Sequence, residues 1–319
     1  MKKFYTVCGF PRCGNTLLTS ILNQNPDIHF TGTSSLPEVF NRMVLMTGES
    51  ESYLSSPSPE NLHSLFQNTF ESYYTHREEK YIIERSTWMT PFSFPLYCDY
   101  CPNEIKMAIL VRPLKDIVKS YLNVCKNSPG FYINQEYLQI DSTTLYKTEL
   151  EEKVDIIFRK EDWIDRTLYS IKWLIDNADL ENIRVLDYND IVENPKKCIN
   201  ALYSFYDIPN YNHSFKNLKQ VGEYGIQYED MTHLKADLHT IRTDNVNKIE
   251  HDIELPQNII DMCDSLEIWK EKINSLFKRN KIGIPKASKR VCVISIISSV
   301  TTSPVSSSSH SCVGGLCSM

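Results

Sequence analysis

The sequence predicts an α/β fold, a mainly parallel central sheet flanked by helices, of the P-loop type that binds a nucleotide on a glycine-rich turn. Three observations carry this. Apolar runs of strand length alternate with helical patterns along much of the chain. The first strand feeds a Gly-x-x-x-x-Gly turn, Gly9 to Gly14, that opens directly into a helix. A second, wholly apolar strand pattern ends at Arg112.

In order, Phe4 to Cys8 is the first strand, and Thr16 to Gln24 is a helix with Leu17, Leu18, Ile21 and Leu22 on one face. Glu60 to Thr75 is helical and Lys80 to Glu84 is the next strand. Ile105 to Val111 is a strand that feeds a helix from Leu114 to Val124. Asp162 to Asn177 is helical, Ile183 to Leu186 is a short strand, and Asn194-Pro195 is an N-cap and N1 pair opening a helix from Pro195 to Tyr206. Residues 127–160 interrupt the alternation with mixed polar and aromatic content and are read as a lid or acceptor-binding insert within a domain spanning 1–285. Residues 286–319 are rich in Ser and hold one short apolar run, Val291 to Ile297, so they are read as a disordered tail.

The turn after the first strand has the properties of an anion cradle. Gly14 lets the backbone approach a ligand, the first N–H groups of the helix are unpaired, and the helix dipole adds about half a positive charge there. A nucleotide triphosphatase places Lys where Asn15 stands, to reach the β- and γ-phosphates. Here the only cation in the loop is Arg12, which points to a phosphorylated nucleotide without a γ-phosphate.

The segment Gly9-Phe-Pro-Arg-Cys-Gly-Asn-Thr-Leu-Leu-Thr-Ser-Ile-Leu-Asn-Gln-Asn-Pro26 resembles the 5′-phosphosulfate loop of sulfotransferases that use 3′-phosphoadenosine 5′-phosphosulfate (PAPS). The resemblance implies that Arg12, Cys13, Gly14, Asn15 and Thr16 hold the 5′-phosphosulfate. Cys13 stands where the family has Ser, and a thiol is a weaker donor than a hydroxyl. Arg112 at a strand end and Ser120 in the following helix resemble the family's 3′-phosphate site, where the planar fork of Arg suits a phosphate dianion. Tyr188 matches a tyrosine that the tyrosine-protein branch keeps near the adenine. The stretch His239 to Lys248 resembles the cofactor-covering loop, in which Arg242 or Lys248 closes over the nucleotide. Each of these three also has a plain reading, as a packed strand-end ring or a surface cation.

Sulfuryl transfer needs positive charge at the bridging oxygen and a base for the acceptor. Arg85 stands where family members often carry a catalytic lysine. As a permanent cation it is cast as a charge stabiliser, with Arg12 beside it. The base is expected to be Glu38, the first carboxylate beyond Gly32, although an acid in a helix's first turn is also favoured by the dipole alone. Asp27 and His29 are further candidates.

Composition bounds the remainder. A chain of 319 residues, 41% hydrophobic and 23% charged, can bury a substantial core. A net charge of −6 argues against a broad nucleic-acid-binding surface. No stretch reaches the ~18 apolar residues of a membrane span. With no secretory signal, ten scattered cysteines suit reduced thiols and a cytoplasmic setting. Cys98 and Cys101 form one C-x-x-C, and a zinc site wants a second pair, so no metal is expected. The acceptor class and the oligomeric state are not readable. The rival readings are a P-loop kinase, with Asp187 as a magnesium ligand, and a catalytically degenerate nucleotide-binding protein.

The tail offers little apolar surface to offset the entropy of ordering it. Truncation after Pro285 is expected to leave the melting temperature and nucleotide affinity nearly unchanged, and a drop of many degrees would show that Val291 to Ile297 packs on the body.

Overall fold

The computed structural model describes residues 2–140, 147–219, 230–240 and 245–270. Arg242, the Val291 to Ile297 run and the whole of 286–319 lie outside them.

The elements run β1 (Lys3–Gly9), α1 (Asn15–Leu22), β2 (Ile28–Thr31), α2 (Leu36–Glu49), α3 (Glu51–Ser55), α4 (Pro59–Tyr73), β3 (Tyr81–Arg85), α5 (Ser93–Tyr100) and β4 (Met107–Val111). They continue with α6 (Leu114–Asn127), α7 (Tyr132–Tyr137), α8 (Glu149–Ile157), α9 (Trp163–Asn177), β5 (Ile183–Asp187), α10 (Tyr188–Glu193), α11 (Pro195–Tyr206), α12 (Asp230–His233) and α13 (Gln257–Leu266). The expected strands and helices are all present, with ends shifted by a few residues. Strand β2 is an addition, because four residues buried on both faces show no alternation. Helix α6 runs on to Asn127, since Val124 and Cys125 continue its buried face. Among its described residues the 127–160 stretch holds the short helices α7 and α8, and α8 begins with a capping box in which Thr148 and Glu151 exchange hydrogen bonds.

The five strands are parallel in the order β2-β3-β1-β4-β5. The first strand is therefore the centre of the sheet and is buried almost throughout. Connections leave β1 toward the β3 side and later return to the β4 side, so the topological switch lies at β1. Ligand crevices in open parallel sheets form at the carboxyl ends of the strands at such a point. Three neighbouring strands end there on cations or on the loop: β3 at Arg85, β1 at the Gly9 turn, and β4 just before Arg112.

An aromatic cluster fills the space between the β2–β3 half and the helices over it. Phe40 meets the edge of Trp88 at 5.2 Å, Phe70 stacks on Trp88 at 5.6 Å, and Tyr97 stacks on it at 5.4 Å. Such pairs add about 0.5–1.5 kcal/mol each beyond burial. On the other half, the Tyr206 hydroxyl donates to the Thr6 carbonyl at 2.8 Å and ties α11 to β1.

Gly9 ends β1 at φ +130, and a Cβ there would stand 2.0 Å from the Leu110 carbonyl oxygen of β4. Gly9→Ala must therefore open the β1–β4 ladder. A loss of at least about 3 kcal/mol is expected in denaturant unfolding, and an unchanged midpoint would contradict this pairing.

Candidate active site

The loop is built on two unusual backbone conformations. Gly14 precedes α1 in the left-handed region at φ +84 and supplies no side-chain cap, so the first amides of the helix remain available to a ligand. Arg12 is also left-handed, at φ +62, which an L side chain adopts only at a cost. A Cβ on Gly14 would lie 2.7 Å from the ring of Tyr188. That ring is buried at the end of β5, and the guanidinium of Arg112 lies over it at 4.5 Å from the centroid.

Arg112 is 5% exposed. One of its terminal nitrogens donates to the Arg12 carbonyl at 3.0 Å and the other to the Ile249 carbonyl at 3.4 Å. Its Nε–H is buried and has no partner among the described residues. A buried charged donor left in this state calls for an acceptor, and an anion at the loop provides one. Arg12 donates through Nε to the Ser120 hydroxyl at 3.1 Å and through a terminal nitrogen to the Leu238 carbonyl. Burial holds its pKa below the ordinary arginine value, since the interior disfavours the charged form. The sequence separates Arg12, as the 5′ contact, from Arg112 and Ser120, as the 3′ contacts. The structure joins all three in one cluster, in which Arg12 spans from the loop to α6.

The other expected residues fall out as follows. Cys13 is a correction: its side chain is fully buried in the core and burial pushes the thiol pKa up, so only its backbone can face a ligand. Asn15 donates to the Phe10 carbonyl at 3.0 Å, bracing the loop, while its Oδ1 is buried without a partner among the described residues. Thr16 is half-buried in the first turn of α1. Arg85 is half-buried at the end of β3, and its carbonyl accepts from the Ser34 amide at 2.9 Å. Glu38 is exposed in the first turn of α2. Lys248 is exposed, and it is the carbonyl of the next residue, Ile249, that reaches Arg112. Asp27 precedes β2, at the opposite end of the sheet from the loop, and pairs with Lys80 at 3.1 Å. His29 is buried against the Thr31 hydroxyl at 2.9 Å. Neither can serve as the base.

Two carboxylates that sequence reasoning missed shape the site. Glu84 sits in β3 beside Arg85, 1% exposed, and accepts from Ser34 at 2.7 Å, Tyr74 at 2.7 Å and Trp88 Nε1 at 2.8 Å. Ser34 in turn accepts from the Leu36 amide at 3.2 Å, which fixes the start of α2. An acid inside the apolar run Tyr81-Ile82-Ile83 was the available signal. Glu267 is buried and accepts from the Leu114 amide at 2.7 Å, taking the first N–H of α6. Close by, Trp269 packs on Phe10 of the loop at 5.1 Å.

A parallel α/β sheet with an anion loop at its switch point, no lysine in that loop, and arginines ending the neighbouring strands defines a nucleotide-binding group-transfer protein. The sequence profile of the sulfotransferase domain matches residues 5–223, and the chain belongs to that family. Its chemistry is sulfuryl transfer, and the kinase reading is not favoured. The chain is similar to the sulfotransferase domain from the curacin biosynthetic pathway, at 14% identity over 83% of this chain and 97% of that one, with a TM-score of 0.49. It is also similar to the sulfotransferase domain of the Synechococcus PCC 7002 olefin synthase, at 13% identity over 83% and 95%, with a TM-score of 0.45. A mouse sulfotransferase complexed with PAP matches at 11% identity over 66% and 60%, with a TM-score of 0.40. No curated protein matches the sequence. Among the described residues, no helix is long and apolar enough to cross a membrane, and no His, Cys, Asp and Glu side chains cluster as a metal site would require.

Burial pushes the Glu84 carboxyl above its ordinary value of 4.5. The folded state then keeps its proton over a range in which the unfolded chain has lost it, so this group's contribution to stability falls as pH rises from about 4.5 through the folded value. Glu84→Gln is expected to flatten that slope in unfolding measured across pH. Glu84→Ala leaves three buried donors unpaired and is expected to cost about 3 kcal/mol or more at any pH.

Proposed function

We propose that the protein transfers a sulfuryl group from PAPS to a hydroxyl or amine acceptor. The observation that carries this reading is the buried Nε–H of Arg112, which has no partner among the described residues, beside a loop whose helix amides carry no side-chain cap. Gly14 supports it by letting Tyr188 pack against the loop, which sets the platform on which Arg112 lies.

PAPS, when bound, supplies the sulfuryl group and leaves as the bisphosphate. Arg12, Asn15, Thr16 and the first amides of α1 hold the 5′-phosphosulfate, while Arg112 and Ser120 hold the 3′-phosphate. Because the start of α6 is already capped by Glu267, the 3′-phosphate is bound by side chains and not by that helix's amides. Tyr188 acts from beneath, as the platform on which Arg112 lies. Lys248, beside the Ile249 carbonyl that reaches Arg112, is the described candidate for closing over the nucleotide, with Arg242 as the alternative. Arg85 places its charge where the bridging oxygen gains electron density, and Glu38 takes the acceptor proton. No metal is needed, since a sulfuryl group carries less charge than a phosphoryl group and arginines with loop amides can neutralise it. A cytoplasmic setting keeps Cys8 and Cys13 reduced.

The test is turnover of labelled PAPS in excess chelator, paired with binding of two nucleotides. Arg112→Ala is expected to weaken adenosine 3′,5′-bisphosphate by roughly 2 to 4 kcal/mol and 5′-AMP by clearly less, the smaller loss coming from the Arg12 carbonyl that Arg112 no longer holds. Arg85→Ala is expected to lower the rate constant about 10²-fold with little change in nucleotide affinity. Strict magnesium dependence with ATP turnover would reject the reading, and equal losses for both nucleotides would reject the role of Arg112.

A further inference from the structure

Arg12 and Arg112 are like charges held close together within the protein. Arg112 is buried, Arg12 is half-buried, and the Arg112 guanidinium donates to the Arg12 carbonyl at 3.0 Å. Burial is the larger cause of the lowered Arg12 pKa, and the neighbouring charge of Arg112 lowers it further.

The partners of this pair are neutral. Arg12 donates to the Ser120 hydroxyl and the Leu238 carbonyl, and Arg112 to two backbone carbonyls. Asp230 and Asp237 act on Arg12 through space. Their carboxylates are taken up elsewhere, that of Asp230 by the Leu238 and His239 amides and the His239 ring, and that of Asp237 by the Thr240 amide. Two desolvated cations without a bonded carboxylate are costly, and one anion shared between them offsets both.

Three donors of the cluster are open among the described residues. One is the Nε–H of Arg112. The second is the other terminal nitrogen of Arg12, which is reachable because Arg12 forms part of the wall of an open cavity of about 670 Å³ beside α6. The third is the Ser120 hydroxyl, which is 3% exposed and accepts from Arg12 Nε at 3.1 Å, so its own O–H is left to donate.

The two ends of PAPS differ in what they ask of such donors. A 3′-phosphate is a monoester that approaches a double negative charge near neutral pH, spread over three terminal oxygens. The phosphorus of the 5′-phosphosulfate is bridged on both sides, carries a single charge, and suits the open amides of α1. The Arg12 side chain is directed at α6 and ends on Ser120, the hydroxyl that the reading above gives to the 3′-phosphate.

We propose that Arg12 is a second arginine of the 3′-phosphate site and a determinant of selectivity for a 3′-phosphorylated nucleotide, instead of a cation confined to the 5′ end. The inference rests on the PAPS reading above and deepens it. The dianionic end of the ligand receives two guanidiniums and a hydroxyl, and the 5′ end depends chiefly on the loop amides with Asn15 and Thr16.

The test is binding of adenosine 3′,5′-bisphosphate and of 5′-AMP, the latter by displacement of labelled bisphosphate, to the full chain as wild type, Arg12→Ala and Arg12→Lys. The melting temperature of each ligand-free protein reports folding. Arg12→Ala is expected to weaken the bisphosphate at least about 30-fold and 5′-AMP no more than about 5-fold. Arg12→Lys keeps the charge but loses the planar fork and the Nε–H that meets Ser120, so it is expected to recover part of the bisphosphate affinity. If the alanine variant fails to fold, the lysine variant decides by the same comparison of the two nucleotides. Equal losses for both nucleotides, as a 5′ contact alone would give, overturn the inference, and so does an unchanged bisphosphate affinity. A wild-type protein that does not bind the bisphosphate would instead reject the sulfotransferase reading itself.

Discussion

The site depends on a contact that exists only because Gly14 has no side chain. The Cδ2–Cε2 edge of Tyr188 occupies the space where a Cβ would be, Arg112 lies over that ring, and Arg112 returns to the loop by donating to the Arg12 carbonyl. The loop, the end of β5 and the end of β4 thus close on one another as a ring of three contacts. Each fixes a part that the others cannot. The glycine sets how near the ring comes, the ring sets the height of the guanidinium, and the guanidinium holds Arg12 in its left-handed conformation.

Around this ring the sheet order does the positioning. Placing β1 between β3 and β4 puts Arg85, the loop and Arg112 side by side at the carboxyl edge, although they are far apart in the chain. The β3 side is then stiffened by Glu84, whose three donors come from the start of α2, the end of α4 and Trp88, the ring just beyond β3 around which the aromatic cluster packs. A buried carboxylate is a costly anchor, but removing it strands three donors, so it specifies geometry more than it adds stability.

Much of this was legible in the sequence. The Gly9 to Gly14 turn, the missing lysine at Asn15, and the Arg112 and Ser120 spacing are local signals, fixed by backbone chemistry within a few residues. The strands and helices that carry them were legible for the same reason. What escaped was long-range. Nothing near Arg12 indicates that its side chain crosses to Ser120, and nothing near Leu114 shows that Glu267 caps it. Cys13 misled because a residue beside a glycine-rich turn was taken to face the ligand, whereas the turn's own curvature sends it into the core. Strand β2 escaped because four residues buried on both faces leave no period to read.

The arrangement of Glu267 and Trp269 bears on the order in which the molecule can be completed as it is made. The central strand and the phosphate loop are the first parts of this sequence to be synthesised, yet the cap on α6 and the ring seated on Phe10 come from the last described residues. A nascent chain that has produced all five strands still lacks both, so its loop rests on one fewer aromatic face and α6 has an open first amide. Domains tend to fold as their amino-terminal parts emerge. Here the sheet can assemble early, while the nucleotide site waits for Glu267 and Trp269, which lie beyond the stretch that the family profile spans, residues 5–223.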